Sequence, residues 1–221
     1  MFTYYKTYKE LGKKINGFEY VDLGLPSGTL WATCNVVAKK PSDAGLYFQW
    51  GDTKGYTKDQ IGTGDGHKKF AEDWSDYKLR LSGDNNVNVA FTKYTRSDTA
   101  LNLEDDAAHA NMGGSWHMPT PAQIQELINT ANTTNTWTTQ DGVNGRLFTS
   151  TKDASKSIFI PAAGYAMDGS FYHVGGNGYV WSSRLSMYYA TYGIYLDFGS
   201  GYASLGNDVR YKGRSVRGVI G

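Results

Sequence analysis

The chain has 221 residues, with 22 Lys and Arg against 21 Asp and Glu, a net charge of +1 and an aromatic content of 14%. That length allows one substantial core, and the near-neutral charge argues against nucleic acid as a bulk electrostatic partner. A single cysteine, Cys34, excludes an intrachain disulfide and with it a disulfide-built secreted scaffold.

Residues 1–16 form a tail in which Tyr4, Tyr5, Tyr8, Leu11 and Ile15 recur at roughly helical spacing, which predicts a short amphipathic helix. The stretch MFTYYKTYKELGKKI has no apolar h-region and no small-residue cleavage site, so no signal peptide is expected. No apolar run in the chain approaches a membrane span, and no membrane insertion is expected. GFEYVDLG and LWATCNVV, separated by a PSG turn, predict two strands, with Cys34 a small buried hydrophobe between apolar neighbours. GLYFQWGD predicts another short strand. Residues 52–97 are polar and weakly periodic, which predicts a long irregular surface region pinned to the core by Trp74 and Tyr77.

Two helices are expected. LEDDAAHANM, about 103–112, carries acids in its first turn that complement the helix dipole, and Gly113 and Gly114 stop it. The second starts at Thr120 as N-cap, with Pro121 at the first helical position and Gln123 closing a capping box. Ile124, Leu127, Ile128 and Ala131 give it one apolar face to about Asn132. Beyond it come short β-branched or aromatic runs, TWTTQ, GRLFTS, SIFIPAAGY, YVWSS, TYGIYLDF and SVRGV, separated by Gly/Asn/Asp turns. With no internal repeat and no linker, the order of strands, helices and strands predicts a single α+β domain.

The segment from Trp181 to Val219 interleaves Tyr188, Tyr189, Tyr192, Tyr195, Tyr202 and Tyr211 with Gly, Ser, Asn and Asp. Binding surfaces use that palette, because Tyr gives large contact area at low entropic cost while small polar residues adapt. In the strand at 190–199, alternation places Ile194, Leu196 and Phe198 in the core and Gly193, Tyr195, Asp197 and Gly199 on the opposite face. YASLGNDV has little apolar content and is expected to run as a surface loop. Tyr179 and Tyr211 are expected to belong to the scaffold.

Catalysis finds little support. The four histidines, His67, His109, His117 and His173, lack a metal-ligand spacing and are assigned structural roles. Glu104, Asp105 and Asp106 are read as dipole complements or caps, and the DNNVN run at 84–88 as a polar turn without an EF-hand pattern. No catalytic residue, metal ligand or cofactor is expected.

VDLGLPSGTLWATCNV, YFQWGDT, LEDDAAHANMGGSWHMPT, SIFIPAAGY, YVWSS and GRSVRGV together resemble the domain repeated in Fibrobacter and Bacteroides surface proteins, over about Asn16 to Val219. That domain has the C-type-lectin-like fold of the formylglycine-generating-enzyme superfamily. The resemblance implies a 17–221 domain with two helices, short, mostly antiparallel strands and long irregular loops. The 1–16 tail becomes a candidate attachment or oligomer contact. The oxidase branch of that superfamily relies on paired cysteines near its C-terminal end, which a lone Cys34 cannot supply.

Within this group the chain resembles the variable proteins of diversity-generating retroelements, in which adenine-directed mutagenesis rewrites Asn codons in a C-terminal stretch. The family's frame is kept at Trp181, Ser182, Ser183, Leu196, Phe198, Ser200, Arg210, Tyr211, Gly213, Ser215, Val216 and Arg217. His117 and Gly218 depart from it, where the family has Arg and Pro. The variable region would be about 181–219. The resemblance implies a non-enzymatic receptor-binding protein of a phage tail or bacterial cell surface, recognising a cell-surface protein or glycan. Its anchors would be Tyr188, Tyr189, Tyr192, Tyr195 and Tyr202. Asp197, Ser204, Asn207 and Asp208 would tune polar contacts, and Gly199, Gly201 and Gly206 would shape the floor. Arg184, Ser186, Val209 and Lys212 complete the set. A fixed-sequence adhesin or lectin-like module remains the alternative, and a divergent oxidase or hydrolase a third reading that bound metal would revive.

Overall fold

The computed structural model describes residues 13–83 and 88–221. Asn16 and Gly17 both take positive φ, 52° and 84°, the geometry a two-residue hairpin needs. They join β1 (Lys14–Ile15) to β2 (Phe18–Asp22), so Ile15 lies in a strand rather than the expected helix. The rest of that expected helix lies outside the described residues. β3 (Leu30–Asn35) continues the sheet, and the last strand, β14 (Arg217–Ile220), closes it antiparallel to β3. Cys34 on β3 is half-buried, not buried as expected. It alternates with the fully packed Trp31 and Asn35 on a strand whose other neighbours shield it only in part.

GLYFQWGD does not form a strand. Tyr47 and Phe48 make isolated bridges to Tyr56 and Arg214, and the segment runs as buried irregular chain. Residues 52–97 are irregular as expected, broken by a 3-10 turn at Lys58–Gln60 and a small hairpin of β4 (Arg80–Ser82) and β5 (Ala90–Phe91). Trp74 and Tyr77 are buried and pin the region, their rings packed edge to face at 5.3 Å. Of the DNNVN run, 84–87 lie outside the described residues.

The first expected helix divides. Leu103–Asp105 is a 3-10 turn, and α1 spans Ala107–Met112. Asp106 is its N-cap: one carboxylate oxygen accepts from His109 N–H at 2.9 Å and the other from Met118 N–H at 2.8 Å. Burial pushes the Asp106 carboxyl above the usual range, against those bonds. Glu104 and Asp105 serve Lys93 instead, at 2.6 and 2.8 Å. Gly113 and Gly114 end α1 with φ of 69° and 59°. α2 spans Pro121–Ile128, with the Thr120–Gln123 capping box in place, and stops four residues before Asn132 because Asn129 turns to extended geometry. Ile124 and Leu127 are buried, whereas Ala131 falls beyond the helix.

β6 (Thr133–Gln140) and β7 (Val143–Ser150) turn at Asp141-Gly142, and β8 (Ser157–Pro161) pairs along β7. β9 (Tyr165–Met167) and β10 (Ser170–Tyr172) form a hairpin through Asp168-Gly169. The third sheet is β11 (Gly178–Leu185), β12 (Tyr192–Phe198) and β13 (Ala203–Val209), antiparallel in that order. The architecture is α+β: mostly antiparallel strands in small sheets with two helices.

Two clusters make up most of the core. One gathers Trp50, Trp74, Trp116 and Trp181 with Phe48, Tyr77 and Phe91; the other packs Ile124 and Leu127 of α2 against Trp31, Phe148, Leu196 and Phe198. The β11–β13 sheet lies between them and is covered on both faces. That is why the one-sided alternation expected for 190–199 fails: Tyr195 belongs to the first cluster and is 8% exposed.

Candidate functional site

The antiparallel register assigns each side chain of the β11–β13 sheet to a face. Tyr179, Asp197 and Ser204 are cross-strand neighbours on one face, as are Trp181, Tyr195 and Gly206. Val180, Leu196 and Leu205 line the other, over α2. Two indole bonds lock the sheet to the irregular 47–50 segment. Trp50 Nε1 donates to Ser182 O, and Trp181 Nε1 to Phe48 O, both at 2.9 Å.

The segment expected to be a loop, 202–209, is the strand β13, paired with β12 through seven consecutive residue pairs without a bulge. The backbone does not need apolar side chains to form this ladder. On β13 the close approach is at Gly206, where a Cβ would come within 2.6 Å of the Tyr195 ring. Gly206 therefore makes room for a buried tyrosine rather than shaping an open floor.

The middle of the expected surface is closed. Tyr195 packs edge to face on Trp181 and Tyr179 at 5.8 and 5.7 Å, with the Arg214 guanidinium 3.6 Å from its ring centre. Burial raises the Tyr195 phenol, and Arg214 opposes that shift. Arg214, itself 1% exposed, donates to Asp208 Oδ2 at 2.6 Å, which also accepts at 2.7 Å from Lys212 Nζ, 4.8 Å from the Tyr165 ring centre, so both cations beside this face are already engaged. Asp208, Val209 and Lys212 are thus half-buried fittings of this cluster. Tyr179 and Tyr211 are buried scaffold, as expected. Gly199 is buried, with a Cβ 3.0 Å from Asn177 and from Tyr202. Ser186 is buried too: it shapes the β11–β12 turn, its Oγ accepting from Tyr188 N–H at 3.2 Å.

The two ends of β12 are open. At its start, Met187, Tyr188 and Tyr189 are exposed by 65%, 79% and 58%. Tyr189 leans on half-buried Tyr192 at 5.3 Å. Tyr188 and Tyr189 also line a cleft of about 360 Å³ with Val89, Ala90, Phe91 and Thr95. Arg184 is exposed beside it, its Nε donating to Asp98 Oδ1 at 2.8 Å. At the other end, Ser200, Gly201, Tyr202 and Ser204 are exposed, whereas exposed Asn207 pairs with Ile194 near the start of β12, on the face opposite Ser204. Tyr202 O–H donates to Asp197 Oδ1 at 3.0 Å and accepts from Asn177 Nδ2 at 2.9 Å. Burial raises the Asp197 carboxyl, opposed by the Tyr202 bond and by Arg214. The two ends are separated by the seven-residue strand, about 20 Å of extended chain.

Several residues outside 181–219 contribute. Arg146 of β7 is buried, and its Nη1 donates to the carbonyl oxygens of both Gly199 and Tyr202, while Nε donates to Asn135 at 2.9 Å. It holds the β12–β13 turn by main-chain atoms alone. The β9–β10 hairpin brings Tyr165 and Tyr172, stacked at 5.2 Å, and His173, whose Nδ1 lies 2.8 Å from the Tyr179 hydroxyl. No strand is expected from the sequence at Ser170–Tyr172, although the aromatic run SFYH is a signal that could have found it, whereas nothing local marks Arg146.

His109 and His117 are engaged in the scaffold, with His109 Nδ1 3.2 Å from Trp116 O and His117 bridging Met118 O and Gly221 O at 2.8 and 3.1 Å, whereas His67 is exposed. Among the described residues, no group of three or more His, Cys, Asp or Glu side chains is placed to hold a metal ion. No protein-family model, curated protein or solved structure matches the chain.

Proposed function

We propose that this protein is a non-enzymatic receptor-binding protein with a C-type-lectin-like fold, displaying a diversified surface as the variable protein of a diversity-generating retroelement. The observation that carries this reading is the combination at the ends of β12. Large aromatic side chains stand exposed at both ends, and the β12–β13 turn is held through its carbonyl oxygens by Arg146 from another sheet. Exposed clustered aromatics suit an interaction site. Anchoring through carbonyl oxygens suits positions whose side chains are to be exchanged. The working surface is smaller than 184–212: Arg184, Tyr188, Tyr189, Tyr192, Tyr202 and Ser204 form it, with Asp197 half-buried beneath, and Asn207 lies on the other face of the sheet. A cell-surface protein or glycan is the ligand, and display in several copies on a phage tail or cell surface raises weak single-site affinity.

Sequencing this locus across many members of one population tests the proposal. Substitutions concentrated at those exposed positions, with Trp181, Leu196, Phe198 and Arg210 constant, are expected. Uniform sequence there overturns programmed diversity and leaves the second reading, a fixed-sequence adhesin. The interlocking of Tyr195 with Gly206 and Arg214 favours that alternative, since a randomised pair seldom fits so closely.

A further inference from the structure

We propose that the surface formed by Tyr172, His173, Asn177, Asp197, Tyr202 and Ser204 is a binding site for a neutral carbohydrate. This rests on the ligand-binding reading above and names the ligand class for one end of the sheet. The residues come from three stretches of chain and are tied together by contacts already described. Tyr179 is the hub: its hydroxyl meets His173, its ring lies 5.5 Å from Tyr165, and it is the cross-strand partner of Asp197.

Three features point to a sugar. The first is the set of polar atoms left over. Asp197 Oδ1, Asn177 Nδ2 and the Tyr202 hydroxyl satisfy one another. Asp197 Oδ2, Asn177 Oδ1, Ser204 Oγ and His173 Nε2 make no hydrogen bond among the described residues. Carboxylate and amide oxygens accept only, while hydroxyl and imidazole groups can also donate. A ligand rich in hydroxyl groups matches both. The second is the aromatic frame. Tyr165 occupies one face of the Tyr172 ring, yet Tyr172 is 36% exposed. A pyranose presents an apolar C–H face to such a ring and its hydroxyls to the acceptors around it, the mixture of apolar body and few placed polar groups that small-molecule sites use.

The third is charge. Asp197 is the ionisable acid of the patch, and Arg214 beneath it is buried, stacked on Tyr195 and paired to Asp208, so an anion at the surface cannot reach it. Acidic sugars are therefore disfavoured. The Tyr188–Tyr189 end differs in chemistry, because among the described residues its cleft is lined by Val89, Ala90, Phe91, Ala190 and two threonines besides the tyrosines. The bonds among Asn177, Tyr202 and Asp197 hold the polar groups in place before a ligand arrives, which lowers the ordering cost of binding.

The test is a glycan array of neutral and sialylated structures, probed with the full chain biotinylated and tetramerised on streptavidin to add avidity. Asp197→Asn, Tyr172→Ala and the surface control Leu103→Ala run beside it, each checked for folding by thermal melting. Binding to a set of neutral glycans is expected, falling about tenfold or more in Asp197→Asn and in Tyr172→Ala, a loss of about 1.4 kcal/mol each, and holding in Leu103→Ala. No neutral-glycan signal, a signal from sialylated glycans only, or neutral binding indifferent to both site changes overturns the proposal. Those failures leave programmed diversity standing, since population sequencing measures it separately.

Discussion

At the β11–β12 turn, Tyr188 and Tyr189 stand 79% and 58% exposed, while seven residues beyond Tyr188, Tyr195 is wedged between Trp181, Tyr179 and the Arg214 guanidinium at 8% exposure. The same residue type thus serves as contact area in one place and as core in the other. The difference comes from what covers the strand. The turn projects past both core clusters, whereas the middle of β12 has an aromatic cluster on one face and α2 on the other. Tyrosine content alone marks where aromatic surface is available. Tertiary cover decides which of it is displayed.

Truncation at the covered positions gives the sharpest contrast. Trp181→Ala removes a fully buried indole and its bond to Phe48 O, and should destabilise by about 3–5 kcal/mol in denaturant unfolding. Tyr195→Ala should cost about 3 kcal/mol by the same measure, because it empties the space that Gly206 leaves for the ring and strips Arg214 of its platform. A cost under about 0.5 kcal/mol, the figure for exposed sites, would place Tyr195 on the displayed side and break the comparison. Arg146→Ala should cost about 2 kcal/mol, since two carbonyls lose a charge-assisted bond. Amide exchange should accelerate at Gly199–Tyr202 more than at the β11–β12 turn.

Tyr188→Ala and Tyr189→Ala should each change stability by less than about 0.5 kcal/mol while weakening ligand capture. The subtlest effect is a pH dependence. Burial raises the Asp197 carboxyl above the usual carboxylate range, so the folded state favours its protonated form. The resulting stability is fully present below the unfolded-state value and is lost as pH rises through the folded one. Asp197→Asn removes that dependence, so its melting temperature relative to the natural protein should climb as pH is raised from about 4. A difference that stays flat with pH would show the carboxyl to be solvated.

Much of the frame was legible in the sequence. The Thr120–Gln123 capping box, the Gly113-Gly114 stop, the hairpins at Asp141-Gly142 and Asp168-Gly169, and the scaffold roles of Tyr179 and Tyr211 are set by local chemistry, and local chemistry is what a sequence displays. The failures share a different cause. β13 reads as a loop because its partner strand, not its own composition, makes it a strand. The helix expected from residue 103 begins only at Ala107, because Asp106, which serves as its cap as expected, is also tied to Met118 after the turn and stands in extended geometry. Tyr195 needed knowledge of both faces of its sheet. Of the site, the exposed tyrosines were legible, but the β9–β10 contribution and the Arg146 tie depend on chain segments 14 to 56 residues away.

Arg146 meets the β12–β13 turn only at carbonyl oxygens, which every amino acid carries. The turn's shape is then set by a residue more than fifty positions upstream and is indifferent to the letters written at Ser200, Gly201 and Tyr202. A foreign tripeptide spliced into those positions would meet a ready-made mount. As a grafting point this turn asks little of its passenger, whereas the centre of β12, where each side chain is keyed to its neighbours, would refuse one.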